Sequence, residues 1–311
     1  MPNLSDNELR AVAYYAIGVS TEGGDVAYQL SFCGQPTHQA GVLEPIGNSG
    51  YTIGEMQTDL GSRHNIAASL VDSFNSWAQA NQHQDWVLND QQKAQFTSDL
   101  ARDGNHIRDP NYDADNLKYA REHHGQSIPS SQLPATGQDI DQTFKSHLGA
   151  YLGTDAGKAF VHQTDTDQVR LLMEKVAARL EPSDLYKNSS LEDQAKIFAV
   201  VAKAYNQGPR YANQIMDGID AGQIKSLDDI SKKIDTFPDG HDHYMRTGRD
   251  AALKGAQLFN ALQNTSERNP MRDPWQAVVA NPLVDPGIAA TIQPGAAYMI
   301  AVRQESGPLS R

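Results

Sequence analysis

The segment from residue 20 to residue 61 most constrains the fold, because it is rich in glycine and proline and separates two helical patterns. Residues such as Asn48-Ser49-Gly50 favour turns and short strands over helix. Apolar residues recur at helical spacing before and after the segment. We therefore predict a mostly α (α+β) fold with a small β-hairpin region at about 40–60.

Helix starts and stops can be located on both sides of this segment. Ser5-Asp6-Asn7-Glu8 has the spacing of a capping box, and the apolar pattern that follows it stops near Gly18. Ser189-Ser190-Leu191-Glu192 offers a second capping box, and Pro209 ends the helix that it starts. Other helical patterns cover residues 65–77, 167–180, 226–234 and 244–262.

The chain has 311 residues, which is enough for a sizeable core in one large domain or two ordinary ones. Residues 81–160 are polar and irregular, with helical patterns only around 90–102 and 115–123. The chain becomes rich in proline and asparagine after residue 264. We predict one domain over residues 1–262 with an insertion or cap at about 81–160, followed by a C-terminal tail over residues 263–311.

Charge and composition argue against several kinds of partner. The net charge is −12 and no cluster of lysine and arginine is visible, so we expect no nucleic acid. We expect no membrane span either, because no run approaches the roughly 18 consecutive apolar residues that one needs. Cys33 is the only cysteine, so no disulfide can form within the chain. The first residues lack the basic start and apolar stretch of a secretory signal, so we expect a protein made in the cytoplasm without a signal peptide.

Glu22 is the acid whose position suggests chemistry. It follows the predicted end of the first helix, where the negative end of the helix dipole and rings such as Tyr14 and Tyr15 disfavour a charged carboxylate. Glycosidic cleavage needs an acid that is protonated at working pH, and often a second carboxylate that activates water. The glycines at Gly23-Gly24 would let a bulky sugar approach. Taken alone, an acid before two glycines is more commonly a solvated turn residue.

Three segments together resemble the goose-type lysozymes and soluble lytic transglycosylases of the lysozyme superfamily. They are Ser20-Thr21-Glu22 after a helix, the Gly-x-Met-Gln motif at Gly54-Glu55-Met56-Gln57, and the Ala-Tyr-Asn-x-Gly motif at Ala204-Tyr205-Asn206-Gln207-Gly208. This chain departs from the family pattern at Thr21-Glu22-Gly23, which replaces an acid-serine pair, and at Glu55, where the family has an apolar residue. The resemblance implies a lysozyme-like helical fold for the catalytic domain.

The resemblance also implies a role for each matching residue. Glu22 corresponds to the general acid, and Gln57 to a glutamine that lines the cleft. Tyr205 and Asn206 correspond to the pair that contacts the sugar beside the scissile bond. Asp59 completes a Met-Gln-x-Asp pattern similar to the goose-type motif, in which an aspartate positions the attacking water.

Several of these residues have more than one interpretation. Asp59 either faces Glu22 across the cleft or caps the next helix. Glu44 and Asp25 are other candidates for the second acid. Tyr51 either stacks on an acetamido sugar or is an exposed tyrosine of a hairpin turn.

No cofactor is expected, and calcium is the one weak alternative. Oxygen ligands alternate at Asp109, Asn111, Asp113 and Asp115. However, Ala114 stands where a calcium loop needs glycine, and Ala120 where it needs a bidentate acid.

We therefore expect a peptidoglycan hydrolase of the muramidase (lysozyme) class, which cleaves between N-acetylmuramic acid and N-acetylglucosamine. The alternatives are a lytic transglycosylase, a chitosanase or chitinase with the same cleft, or a non-catalytic cell-wall-binding protein. The acidic charge and the lack of disulfides and signal suit an antibacterial effector that acts in the periplasm or wall of a target bacterium, or a phage lysis protein. The expected partners are peptidoglycan strands and, for an effector, an immunity protein or a secretion carrier.

Overall fold

The structure, a computed structural model, describes about two thirds of the chain. The described residues are 3–22, 27–32, 34–36, 43–45, 51–101, 107–108, 138–238, 244–264 and 276. The chain divides into two compact units, one formed by residues 1–25 and 165–311 and the other by residues 26–164. The predicted insertion lies within the second unit, and the predicted tail lies almost wholly outside the described residues.

The described residues are mostly helical, which confirms the predicted mostly α (α+β) class. The elements are α1 Asp6–Ala11, a π-helix Val12–Glu22, β1 Ser31–Phe32, β2 Gly34–Pro36, β3 Leu43–Pro45, β4 Tyr51–Ile53, β5 Thr58–Asp59, α2 His64–Ala80, a 3₁₀ turn Gln84–Trp86, α3 Asp90–Ala101, β6 Ile107–Arg108, β7 Gln138–Asp139, α4 Gln142–Leu152 and α5 Asp155–Leu172. A π-helical turn Met173–Ala177 continues α5, followed by α6 Ala178–Leu180, α7 Asp184–Lys187, α8 Leu191–Gln207, α9 Pro209–Asp220, α10 Leu227–Asp235 and α11 Tyr244–Gln263. None of the described helices is long and apolar enough to cross a membrane.

Helices of the first unit begin where the sequence supplies a capping residue. Ser5 accepts from the backbone N–H of Glu8, and the Glu8 carboxylate accepts from the backbone N–H of Ser5 at 2.7 Å, which confirms the first capping box. The second predicted box is displaced by one residue, because Ser190 rather than Ser189 caps α8. Pro209 begins α9, since the first turn of a helix does not need its missing N–H.

The structure extends two predicted helices and adds one. The helix predicted to stop near Gly18 continues in the wider π-helical turns to Glu22. The helix predicted from Asp167 begins instead at Asp155. The helix α4 occupies part of the region that was predicted to be irregular, and Asp141 caps it by accepting from two backbone N–H groups at 2.9 Å each.

Close packing in the first unit is centred on α11, which contacts both α8 and the π-helix. Two glycines of α11 permit this approach. A Cβ on Gly255 would overlap the backbone carbonyl of Ala16 in the π-helix, and a Cβ on Gly248 would overlap the side-chain amide of Gln207 at the end of α8. The glycines therefore set how closely both neighbours pack against α11.

Strands of the second unit form small separate sheets. In the three-stranded antiparallel sheet, β4 pairs with β1 on one side and with β5 on the other. The strands β2 and β3 pair antiparallel, and β6 and β7 pair parallel. The β4–β5 hairpin lies within the region predicted to form one. The core of this unit includes Tyr51, Ile53, Leu60, Leu70, Phe74, Leu100, Phe144, Leu148 and Tyr151.

Candidate functional site

Glu22, the candidate acid, is the last residue of the π-helix rather than a residue beyond a helix end. The sequence pattern missed this because it tests only the ordinary helical period. Runs of π-helix are rare, and single π-helical turns are frequent at functional sites. The side chain of Glu22 and the whole of Asp25 lie outside the described residues.

The helix that carries Glu22 is anchored in the core of the first unit. Tyr14 and Tyr15 are buried, and their rings meet edge to face with centroids 5.0 Å apart. The π-helix also packs against α8, whose last turn contains Tyr205 and Asn206. Two of the three motif segments therefore lie on helices that contact each other.

The Tyr205-Asn206 pair lies at a tight junction between two helices. The backbone N–H of Gly208 donates to the carbonyl of Ala204 at 2.8 Å, which closes the last turn of α8. The next helix starts immediately at Pro209. Tyr205 and Asn206 are both half-buried. The junction thus fixes the backbone of the pair and leaves part of each side chain accessible.

A buried glutamine on α5 holds the side chain of Asn206. The Nε2 of Gln168 donates to the Oδ1 of Asn206 at 2.6 Å, and Gln168 is only 4% exposed. The Oε1 of Gln168 is buried and has no hydrogen-bond partner in the part of the chain that the structure describes. Since most buried polar atoms are hydrogen-bonded, this side chain requires a specific explanation.

Charged side chains are buried one helical turn away on the same two helices. Asp165 precedes Gln168 on α5 and is fully buried, and Lys203 precedes Asn206 on α8 and is 3% exposed. Both make interactions, as buried charges must. The sequence analysis missed Gln168, Asp165 and Lys203. The only signal for them was a polar residue on the apolar face of a helical pattern.

Gln207, the variable residue of the Ala-Tyr-Asn-x-Gly motif, links α8 to α11. Its Nε2 donates to the backbone carbonyl of Tyr244 at 3.1 Å, and its amide lies against Gly248. Its Oε1 is buried without a hydrogen-bond partner among the residues described. Among the described residues, the amide oxygens of Gln168 on α5 and Gln207 on α8 are therefore both buried acceptors without a hydrogen-bond donor.

The Gly54-Glu55-Met56-Gln57 motif forms the turn of the β4–β5 hairpin in the second unit. Gly54 and Gln57 have positive φ values of 89° and 46°, a conformation that favours glycine. The side chain of Gln57 closes on its own turn. Its Oε1 accepts from the Oγ1 of Thr52 at 2.7 Å, and its Nε2 donates to the carbonyl of Gly54 at 2.9 Å. Both the oxygen and the nitrogen of the Gln57 side-chain amide thus form hydrogen bonds within the hairpin.

Asp59, the candidate water-positioning base, closes the turn that follows β5. Its Oδ1 accepts from the backbone N–H of Gly61 at 2.9 Å, and the residue is half-buried. The alternative in which Asp59 caps the next helix is wrong, because α2 starts after Arg63 without a side-chain cap. Glu44 lies in β3 opposite Gln35, and its side chain lies outside the described residues.

Two side chains of the hairpin lie in the core instead of at the surface. Tyr51 is 0% exposed and packs in the core of the second unit, so both interpretations of it as an exposed ring are wrong. It lies on the middle strand of its sheet, beside Ile53 in the same hydrophobic cluster. Glu55 is also fully buried and makes interactions there. The sequence did not predict this, because carboxylates are rarely buried.

The weak calcium site falls outside the described residues, at Asp109, Asn111, Asp113 and Asp115. Within the described ranges, no group of three or more His, Cys, Asp or Glu side chains is placed to hold a metal ion. The expectation about cofactors therefore stays a prediction.

The predicted site residues are divided between the two units. The first unit contains Glu22, Asp25, Tyr205 and Asn206, together with Gln168. The second unit contains Glu44, Tyr51, Gln57 and Asp59. Comparisons of the chain with protein-family models, with curated proteins and with solved structures give no match. The resemblance to the lysozyme superfamily therefore stays a prediction.

Proposed function

We propose that the protein is a muramidase, which hydrolyses the peptidoglycan backbone between N-acetylmuramic acid and N-acetylglucosamine. One observation carries the proposal: the π-helix that ends at Glu22 packs against α8, whose last turn contains Tyr205 and Asn206. One helix end supplies an acid, and the other supplies a partly accessible ring and amide. These are the groups that bind a neutral sugar and protonate its glycosidic oxygen.

Glu22 is the general acid in this mechanism. It donates its proton to the glycosidic oxygen as the bond from that oxygen to the sugar carbon breaks, so the leaving group departs as a neutral hydroxyl. General acid catalysis requires the Glu22 carboxyl group to be protonated when the substrate binds. Tyr205 and Asn206 hold the sugar beside the scissile bond.

The hydrolytic version of the mechanism also needs a base, a role that only the sequence resemblance assigns to Asp59. A base takes a proton from a water molecule, and the water oxygen forms the new bond to the sugar carbon. The product then carries a reducing end.

A lytic transglycosylase is the second candidate, because the Asp59 carboxylate already accepts from the backbone N–H of Gly61 at 2.9 Å within its own turn. A hydroxyl group of the substrate then attacks the sugar carbon in place of water and gives its proton to the Glu22 carboxylate, which has already donated one to the leaving oxygen. The product is an anhydro-sugar, which has one water less than the reducing product.

The biological setting follows from the chemistry of the chain. An acidic protein with one cysteine suits an antibacterial effector or a lysis protein that acts on the wall of a target bacterium. Such an effector would have an immunity protein and a secretion carrier as partners. A chitosanase, a chitinase and a non-catalytic wall-binding protein are the alternatives that product analysis must separate.

The test is digestion of isolated peptidoglycan by the purified full chain, with the soluble products resolved by mass. Reducing-end disaccharide peptides would support the muramidase, and products lighter by one water would reassign the enzyme as a transglycosylase. Parallel incubations with chitin and chitosan oligosaccharides test the other glycan substrates. Binding to peptidoglycan without any release of product would contradict both enzyme proposals.

A further inference from the structure

We propose that Gln168 is a positioning residue, whose amide group fixes the orientation of the Asn206 side chain for sugar binding. This inference rests on the proposed function, because it assigns Gln168 a part in the same site. The inference is based on a hydrogen bond from the Nε2 of Gln168 to the Oδ1 of Asn206 at 2.6 Å.

This hydrogen bond determines which end of the Asn206 amide faces α5. An asparagine side chain has one acceptor atom and one donor atom, and a half-turn of its last torsion exchanges them. Because Gln168 donates, the oxygen of Asn206 faces Gln168 and the nitrogen faces the opposite way. Sugars carry carbonyl and hydroxyl oxygens that accept from such a nitrogen, so the bond selects the orientation in which Asn206 is a donor.

Burial of Gln168 stabilises the orientation of the Asn206 amide that this hydrogen bond selects. Gln168 is 4% exposed, so water competes little for its amide, and a hydrogen bond in such surroundings is stronger than one at the surface. The neighbouring charges, Asp165 and Lys203, are buried one helical turn earlier on α5 and α8. Each residue of the amide pair therefore has a buried charged neighbour one turn earlier on its own helix.

The Oε1 atom of Gln168 indicates that a contribution to stability does not by itself explain why glutamine occupies this position. Its Oε1 is buried and lacks a hydrogen-bond partner among the described residues, which destabilises the fold. An unbranched apolar side chain of similar length, such as methionine, would fill the same volume without that penalty. Only an amide at this position supplies an N–H group that donates to the Oδ1 of Asn206.

The test compares two variants of Gln168 in the full chain. Gln168→Met removes the hydrogen bond but keeps most of the volume. Gln168→Glu keeps the shape, but an ionised carboxylate only accepts, so Asn206 must turn its nitrogen toward it. We expect kcat/KM on peptidoglycan to fall at least about tenfold in both variants, with the larger change in KM. We expect the melting temperature of Gln168→Met to equal or exceed that of the wild type.

A pH profile separates positioning from a structural role. The loss in Gln168→Glu should shrink at low pH, because a protonated carboxyl group can again donate to Asn206, whereas the loss in Gln168→Met should stay constant. Wild-type kinetic constants in both variants would overturn the inference. So would a loss of activity in Gln168→Met that only parallels a loss of folded protein.

A spectroscopic measurement keeps this inference distinct from the proposed function. In protein labelled only at asparagine, the side-chain amide signals of Asn206 are identified by their absence in Asn206→Asp. We expect these signals to shift or broaden in Gln168→Met, and unchanged signals would overturn the positioning role. If the wild type releases nothing from peptidoglycan, the proposed function fails, and these signals still decide whether Gln168 orients Asn206.

Discussion

Replacing Gly255 by alanine tests whether the packing of α11 against the π-helix sets the position of Glu22. A Cβ at this position would lie 2.8 Å from the carbonyl carbon of Ala16 and 3.0 Å from its Cα, and nearer still to the carbonyl oxygen. Carbon atoms pack best at about 3.5–4.0 Å. The two helices must therefore separate, because the obstacle is backbone and cannot rotate away.

The size of the effect follows from this overlap. Forcing an extra carbon into a packed core costs about 1–3 kcal/mol, and a clash with backbone belongs at the upper end of that range. For a protein of this size, about 3 kcal/mol corresponds to a fall in melting temperature of about 6–12 °C. The displacement also moves the helix that carries Glu22, so peptidoglycan cleavage should fall below the level expected from the loss of folded protein.

Thermal unfolding is monitored by far-ultraviolet circular dichroism. The rate of product release is measured at a temperature where both proteins are folded. Gly149→Ala is the matched control, because Gly149 is exposed in α4 and a Cβ there would meet no atom within 4 Å. That change should stabilise the protein by about 0.5–1 kcal/mol. A Gly255→Ala protein as stable and as active as the wild type would refute the packing argument.

Two further predictions concern buried ionisable groups. Burial raises the pKa of Asp99, which is 6% exposed, so its stabilising contribution is greatest below the unfolded-state pKa of about 4 and is lost as pH rises through the folded-state pKa. Asp99→Asn should therefore be the more stable protein in urea unfolding at pH 7, with the difference vanishing below about pH 4; equal stabilities at pH 7 would count against it. Burial, and then the nearby Glu181, raises the pKa of Tyr186, whose buried hydroxyl has no hydrogen-bond partner among the residues described. Tyr186→Phe should be more stable by about 1 kcal/mol at neutral pH and should lose less stability above about pH 10, where the unfolded tyrosine ionises; a less stable variant would contradict this reasoning.

Local signals predicted much of the fold. The Ser5 capping box and Pro209 mark the ends of helices within a few residues, and their effects depend only on neighbouring backbone groups. Gly54 adopts the positive φ that its hairpin needs, and β4 and β5 lie in the region that was predicted to form a hairpin. Helix periodicity also located α10 and α11. Such features need no knowledge of distant contacts.

The rest of the fold depends on contacts between distant parts of the chain. The close approach of Gly255 to Ala16 cannot be read from either local sequence, and neither can the continuation of the first helix to Glu22 in π-helical form. In the candidate site, the Ala-Tyr-Asn-x-Gly motif identified Asn206, but nothing near it identified Gln168, which is 38 residues away in sequence. The burial of Tyr51 was not predicted, because the local sequence of a short hairpin does not distinguish an exposed turn residue from a buried core residue.

The proposed mechanism requires Glu22 to donate a proton to the glycosidic oxygen, and the rate of peptidoglycan cleavage by Glu22→Gln tests this step. Glutamine has nearly the same shape but cannot serve as the acid. We predict a rate about 10²–10⁴-fold lower than that of the wild type, with unchanged melting temperature. Glu174→Gln, a change at an exposed acid of the same unit, should retain the wild-type rate. Equal rates for Glu22→Gln and the wild type would show that Glu22 is not the general acid.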